Sequence, residues 1–315
     1  MLARMMAYAV RRLALFVPLL LGVATITFLL LHVLPGDPVL SMVGERYDAE
    51  TIARLRAEMR LDAPLYERYG YYLRDLVRLD LGKSYVTGAP VWDSIRERFP
   101  HTLRLACAAM AIAVLIGVTI GVLAAWRRGT ALDYLLVGGA VVGVSMPVFW
   151  LGVLLIYVFA MRLGVLPASG FGNGGIAYLV LPAVTLAMAS TAYIARITRS
   201  SVLDEINETY VKAARAKGAG EARIMVRHAL RNALLPIITV VGVDFGSYLS
   251  GAVLTESIFA WPGLGRFTLD AIMKRDLPAI QGAVLFMAIL FMLVNLAVDL
   301  LYARVDPRVK LGRGA

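Results

Sequence analysis

The sequence predicts an all-α, polytopic membrane protein, and three observations carry that fold class. Apolar residues make up 59% of the 315 and charged residues only 17%, with a mean hydropathy of +0.72. Soluble domains carry about a quarter charged residues. Six apolar segments are each long enough to cross a ~30 Å hydrocarbon core, which takes about 20 helical residues. The basic residues gather in short runs beside those segments, as the positive-inside rule requires.

The first span, Leu13–Val33, follows Arg4, Arg11 and Arg12 and at first sight looks like a signal peptide. Its apolar run is too long for a signal core, and no A-x-A site follows it. Residues 1–34 are therefore read as a short terminus and a retained span. Residues 35–100 mix both charge signs almost evenly and are punctuated by Pro64, Gly70, Gly82, Gly88 and Pro90. Within them Ala49–Leu79 has helical spacing, with Ile52, Leu55, Met59 and Leu61 on one stripe. Two readings of this segment stay open: a folded cap over the outer mouth, or a tethered helical hairpin with no role beyond packing.

Residues 101–303 hold the other five spans: Leu103–Trp126, Tyr134–Met161, Ala177–Ala195, Ala233–Ser257 and Ala279–Ala303. A basic loop, 196–236, separates the fourth from the fifth, and 304–315 form a tail. Arg127 and Arg128 lie between spans two and three. Arg196, Arg199, Lys212, Arg215, Lys217, Arg223, Arg227 and Arg231 fill the 196–236 loop, and Arg304, Arg308, Lys310 and Arg313 close the chain. Six spans place these segments on one side together with the N-terminus, and both termini are expected in the cytoplasm.

The net charge of +10 does not read as nucleic-acid binding, because no soluble domain carries a continuous basic stripe. One cysteine, Cys107, allows neither an intrachain disulfide nor a Cys-based metal site. His32, His101 and His228 are far apart and lack zinc-site spacing. Gly82-Lys83-Ser84 looks like the end of a phosphate-binding loop, yet Val77 stands where that motif needs its first glycine. No G-x-S-x-G, H-E-x-x-H or dinucleotide fingerprint is present. The sequence therefore assigns no catalytic residue, metal ligand or cofactor to this chain, and any ATP hydrolysis belongs to a partner.

The 207–236 loop carries the strongest functional signal. Asn207 is suited to cap a helix, Gly218 to end one, and the ten positions between favour helix of about 15 Å. Tyr210, Ala213, Ala214 and Lys217 share one face at i, i+3, i+4 and i+7, with Lys212 and Arg215 beside it. Two alanines next to a tyrosine make a narrow face that admits a groove on another protein. The competing reading, an amphipathic helix on the anionic inner leaflet, suffers from the small apolar face.

Lys212-Ala213-Ala214-Arg215-Ala216-Lys217-Gly218, followed by Leu235-Pro236, resembles the E-A-A-x-x-x-G loop of ABC-transporter permeases, with Lys212 in place of the glutamate. The resemblance runs along nearly the whole chain. Leu34-Pro35-Gly36-Asp37-Pro38 is similar to the sequence with which peptide-type permeases leave their first helix. The run from Glu256 to Arg266, ESIFAWPGLGR, is similar to E-x-I-F-x-W-P-G-L-G-R, and Asp306-Pro307-Arg308 also matches. A tryptophan beside a Pro-Gly turn, as at Trp261, suits an outer membrane interface. The family so indicated is the first permease of the dipeptide, oligopeptide, glutathione and nickel importers. It implies a type I importer fold and makes the loop a cytoplasmic coupling helix docked on an ATPase. It also implies a second homologous permease, two cytoplasmic ATPases holding ATP and Mg²⁺, and an external solute-binding protein, in a bacterial inner membrane.

Polar residues inside the spans are candidates for the pathway. Asp244 lies near the middle of span five, where an acid is costly and faces a cavity or an ion partner. A structural acid at a helix contact is the alternative, since Gly242 and Gly246 already mark a packed face. Ser145, Met146 and Pro147 interrupt span three and point to a kink, lining the path or simply packing. Asn295 and Asp299 read as glue between helices. Gly117 with Gly121, and Gly139 with Gly143, are further pairs that permit close helix contact. An ion-coupled secondary transporter and a non-transporting scaffold for an ATPase are the rival functions. No internal repeat supports the former, and only the absence of flux would reveal the latter.

Overall fold

The computed structural model of the chain describes residues 2–33, 39, 49–59 and 61–305. The motifs at 34–38 and 306–308 lie outside the described residues, as do the side chains of Arg4, His32 and the basic tail. The described residues are helical, joined in order as α1 (Leu2–Val33), α2 (Ala49–Glu58), α3 (Leu65–Val77), α4 (Val91–Trp126) and α5 (Ala131–Ser145). Then come α6 (Val148–Leu155), continued as a π-helix over Ile156–Arg162, α7 (Ile176–Ile206) and α8 (Thr209–Ala216). Next are α9 (Glu221–Asn232, π-helical over Ile224–Ala229) and α10 (Leu234–Leu249). Two short helices, α11 (Val253–Ile258) and α12 (Leu264–Met273), precede α13 (Leu277–Val305).

Proline sets several starts. Pro64, Pro90 and Pro147 stand immediately before α3, α4 and α6. There the missing N–H costs nothing and the fixed φ favours entry into the helix. At Pro147 the same chemistry splits the third predicted span. Proline pushes Met146 into extended backbone (φ −81°, ψ 127°), and α5 meets the following helix at 102°. Tyr134–Met161 is thus a sharply bent pair rather than one gently kinked helix. The fifth predicted span is also divided. Helices α9 and α10 meet at 58° beside Ala233, and α10 ends before Gly251 (φ +98°), so Val253–Ile258 is a separate helix. Four single helices are long and apolar enough to cross a membrane, and six spans result when each bent pair counts as one. Helix α4 begins well before Leu103 and passes through Pro100; α7 continues beyond Ala195 to Ile206.

The centre of the molecule is the α4–α7 pair. A side chain on Gly117 would meet the Thr191 carbonyl at 2.8 Å, and one on Gly121 would meet the Ala195 carbonyl at 2.6 Å. Both expected small-residue contacts are therefore made, backbone against backbone. Gly242 and Gly246 give α10 the same intimacy with α13, opposite Val298 and Phe291. The pair at Gly139 and Gly143 differs: Gly139 faces open space, and Gly143 meets Met188 at an ordinary 3.5 Å. Around this centre Ala106, Ala109, Ala113, Ala187, Ile194 and Ile237 are buried. Val10, Leu13, Leu15 and Val17 of α1 are exposed, as expected of a lipid-bathed helix.

Ion pairs fix the ends. Asp299 of α13 takes Arg12 at 3.0 Å and the Tyr8 hydroxyl at 3.0 Å, which puts the start of α1 beside the end of α13. Asp299 is thus glue between helices as expected. Asn295 is not, because its amide donates to Phe291 of its own helix at 2.8 Å. Arg199 of α7 makes a forked pair with Asp133 of α5, at 2.7 and 2.8 Å. Gly82-Lys83-Ser84, the false phosphate loop, is a clasp. The Ser84 hydroxyl donates to Asp276 at 2.5 Å and the Tyr85 N–H at 2.9 Å, pinning the 35–100 segment to the head of α13.

Candidate coupling helix and pathway face

Helix α8 projects from the inner loop, and its mounting is built from three groups. Val211 is fully buried on its inward side, against the π-helical turn of α9. The Tyr210 hydroxyl donates to Glu205 at the end of α7 and accepts from the Asn232 amide at 2.7 Å. Burial and the Glu205 carboxylate raise the pKa of Tyr210 above the ordinary phenol value. Arg215 forks onto Glu221 at 2.8 and 3.2 Å, tying α8 to the head of α9; each partner holds the other in its charged form. Asn232 is the last residue before the 58° joint with α10. Helix α8 is therefore fastened beside the bend into α10.

The C-terminus of α8 is closed by two reciprocal bonds. The Ala219 N–H donates to the Ala214 carbonyl (3.1 Å) and the Gly218 N–H to that of Arg215 (3.0 Å), with Gly218 at φ +81°. This is a Schellman stop, in which glycine tolerates the left-handed backbone that other residues resist. Gly218 thus ends the helix as its sequence position predicts. Asn207 does not start it: Asn207 ends α7, its amide donating to Leu203 at 2.9 Å, and Glu208 precedes α8. The helix has eight residues and spans about 12 Å.

The faces also differ from the expected one. Lys212, Ala213 and Lys217 are exposed, whereas Ala214 is half-buried towards the Val211 side. Tyr210 is 39% exposed, but its hydroxyl is engaged inward. The outward surface is therefore a small alanine site flanked by lysines, and Tyr210 and Arg215 support it. The signal missed in the sequence was Val211: one β-branched residue among alanines and cations marks the side that packs.

Below α9, Ala125, Val202, Met225, Ala229 and Ala233 form a small apolar cluster joining α4, α7 and α9. Beyond the membrane-crossing part of α10, a second centre is assembled on Glu256, which is fully buried in α11. It accepts from the Thr102 hydroxyl at 2.8 Å and from the Arg266 N–H at 2.9 Å, and Leu264 N–H donates to the same hydroxyl at 2.8 Å. Burial raises the Glu256 pKa, and these donors oppose the rise. Trp261 is fully buried too, its indole N–H on the His101 carbonyl at 3.0 Å. The expectation that Trp261 lies at a lipid interface is thus corrected: Phe171 and the head of α4 cover it.

Asp244 is half-buried on α10 and has neither a hydrogen-bond nor an ion partner among the described residues. One turn on, the Tyr248 hydroxyl donates to Ser190 of α7 at 2.6 Å. Ser145, Met146 and Pro147 line a separate 420 Å³ concavity with Val141, Phe149 and Trp150, and Asp244 does not contribute to it. The structure does not join the two pathway candidates into one pocket.

Comparison with known proteins follows the same lines. Residues 117–311 match the family described as "Binding-protein-dependent transport system inner membrane component". Residues 5–106 match its N-terminal companion, "Binding-prot-dependent transport system membrane comp, N-term". The dipeptide transport system permease protein DppB of Escherichia coli (strain K12) is 41% identical, over 97% of this chain and 99% of that protein. The di/tripeptide transport system permease protein DppB of Pseudomonas aeruginosa (strain UCBPP-PA14) is 40% identical over the same shares. Among solved structures, an inward-facing MetNI methionine ABC transporter chain superimposes with a TM-score of 0.58 at 20% identity. The match covers 67% of this chain and 96% of that one, a likeness of fold. With both halves of the sequence matched and the helical core superimposed, this chain belongs to the inner-membrane permeases of the binding-protein-dependent ABC importers.

Proposed function

We propose that this permease forms half of the translocation path for dipeptides and related short peptides, and that α8 is the helix through which partner ATPases drive it. The peptide assignment is supported by the names of relatives at about 40% identity across nearly the full length. The coupling assignment rests on one observation above others. The projecting helix is fastened by Tyr210 to Asn232, the residue at the bend into α10. The partners are a second homologous permease, two cytoplasmic ATPases carrying ATP and Mg²⁺, and an extracytoplasmic solute-binding protein. Both termini are cytoplasmic in this scheme, on the side of Arg12 and Asp299. Asp244 and the 145–147 bend are the pathway candidates, and residues 35–100 face outward. The ATP-binding and ATP-hydrolysing groups sit on the partner subunits. Membership in the importer permeases displaces both the ion-coupled transporter and the non-transporting scaffold.

Replacing Ala213 by Glu puts an unpaired charge into the docked face, where burial of such an ion costs several kcal/mol (roughly). Replacing Gly218 by Val opposes the left-handed backbone of the Schellman stop. Both variants should insert normally, lose copurifying ATPase, and lose substrate-stimulated ATP hydrolysis in reconstituted vesicles. Wild-type copurification and stimulation in both would remove α8 from the coupling role.

A further inference from the structure

A cavity of 570 Å³ opens between the clasp at Gly82–Tyr85, helix α3 and the head of α13, with Phe28 of α1 at its base. It lies at the end of α1 opposite the Arg12–Asp299 pair. Sixteen residues of helix separate Arg12 from Phe28, about 24 Å, close to one hydrocarbon thickness. Its level is therefore the far membrane–water interface, and Ile26, Leu29 and Leu30 of the adjoining turns of α1 are exposed.

Two polar groups in this cavity lack partners. The Tyr72 hydroxyl is buried without any hydrogen bond, and burial pushes its pKa up to about 12. Arg68, one turn earlier on α3, is half-buried and makes neither an ion pair nor a hydrogen bond among the described residues; burial lowers its pKa. The carboxylate that acts on Arg68 is Asp62, exposed just before α3, and no ion pair closes between them among the described residues. The half-buried guanidinium thus keeps donors open to a further anion. Of the two acids in the lining, Asp75 pairs with Arg74 at 2.9 Å, and Asp80 accepts from the uncharged Gly82 N–H at 2.9 Å. Lys83, exposed at the rim, adds a second positive charge. The α1 and α13 sides of the lining are largely apolar, with Phe28, Leu277 and Pro278 beside Gln281.

We infer that this cavity binds a membrane phospholipid. Its phosphate sits between Arg68 and the Tyr72 hydroxyl, with Lys83 above, and its acyl chains run down the apolar side of α1. Cationic and phenolic donors beside largely apolar walls, at interface depth on the most lipid-exposed helix, match a glycerophospholipid. This reading is independent of which solute is transported.

The test uses the permease purified with its partner subunits, delipidated in detergent, and supplied with phosphatidylglycerol, diacylglycerol or inorganic phosphate. Native mass spectrometry counts the bound lipid, and thermal melting reads its effect. Phosphatidylglycerol should bind the wild-type complex and raise its melting midpoint, and diacylglycerol and inorganic phosphate should do neither. Arg68→Gln and Tyr72→Phe should each lower lipid occupancy about tenfold, the scale of one charge-assisted hydrogen bond. Tyr72→Phe is the decisive arm. In an empty cavity it removes an unsatisfied hydroxyl and raises stability without changing lipid content, and that result overturns the proposal. Equal occupancy in wild type and both variants overturns it too, as does a shift reproduced by inorganic phosphate alone.

Discussion

Asp244 is the residue whose chemistry is least absorbed by the fold. An acid inside a span is costly, and one paired with Arg would be explained by packing alone. Here no cation meets it among the described residues, and half-buried on α10 it stays the pathway candidate proposed above. Asp244→Asn keeps the shape and removes the charge. Peptide uptake by reconstituted vesicles should fall severalfold with assembly and expression unchanged; unchanged uptake would return Asp244 to the packing role. Tyr210, exposed on α8, has a second role that spacing alone does not show. Its position at i relative to Ala213 and Ala214 placed it on the docking face, and only the partners 5 and 22 residues away in sequence reveal a strut.

At the level of elements, the glycines of α4 let it approach the α7 backbone closely. Gly121→Leu would drive a side chain into Thr198 and the Ala195 carbonyl. Overpacking of this kind costs about 1–3 kcal/mol, more where backbone must move. The purified variant should melt several degrees lower, and Gly139→Leu, facing open space, should leave melting unchanged. A comparable loss at both positions would mean that the α4–α7 approach is not the determinant. The helices themselves were legible because their apolar runs are long. The stop at Gly218 was legible because positive φ selects glycine so strongly. The angles of the breaks were not: Pro147 announced a bend but not 102°, and Pro236, which cannot bond the Asn232 carbonyl and so breaks the helix at Ala233, announced nothing of the 58°. The Glu256–Thr102 bond joins residues 154 positions apart, a pairing that no local pattern encodes.

Considered whole, the molecule is a helical frame with α8 at one end and the Ser84–Asp276 clasp at the other. Arg199 and Asp133 brace α7 against α5, with Asp133 only 2% exposed. Energy has to enter from outside it. The purified chain without partners should neither bind nor hydrolyse ATP, by equilibrium dialysis with labelled nucleotide and by phosphate release. Saturable hydrolysis by the isolated chain would contradict the division of labour between permease and ATPase.

The contact between α1 and α13 has a consequence for biogenesis. Helix α1 leaves the ribosome long before α13, on which it packs through Tyr8, Arg12 and Asp299. During synthesis of everything between them, α1 waits in the bilayer with lipid in place of its partner. Its long run of exposed apolar residues lets it survive that interval as a stable solitary span. The α1–α13 contact forms only after α13 has been synthesised, so this part of the fold joins segments made far apart in time.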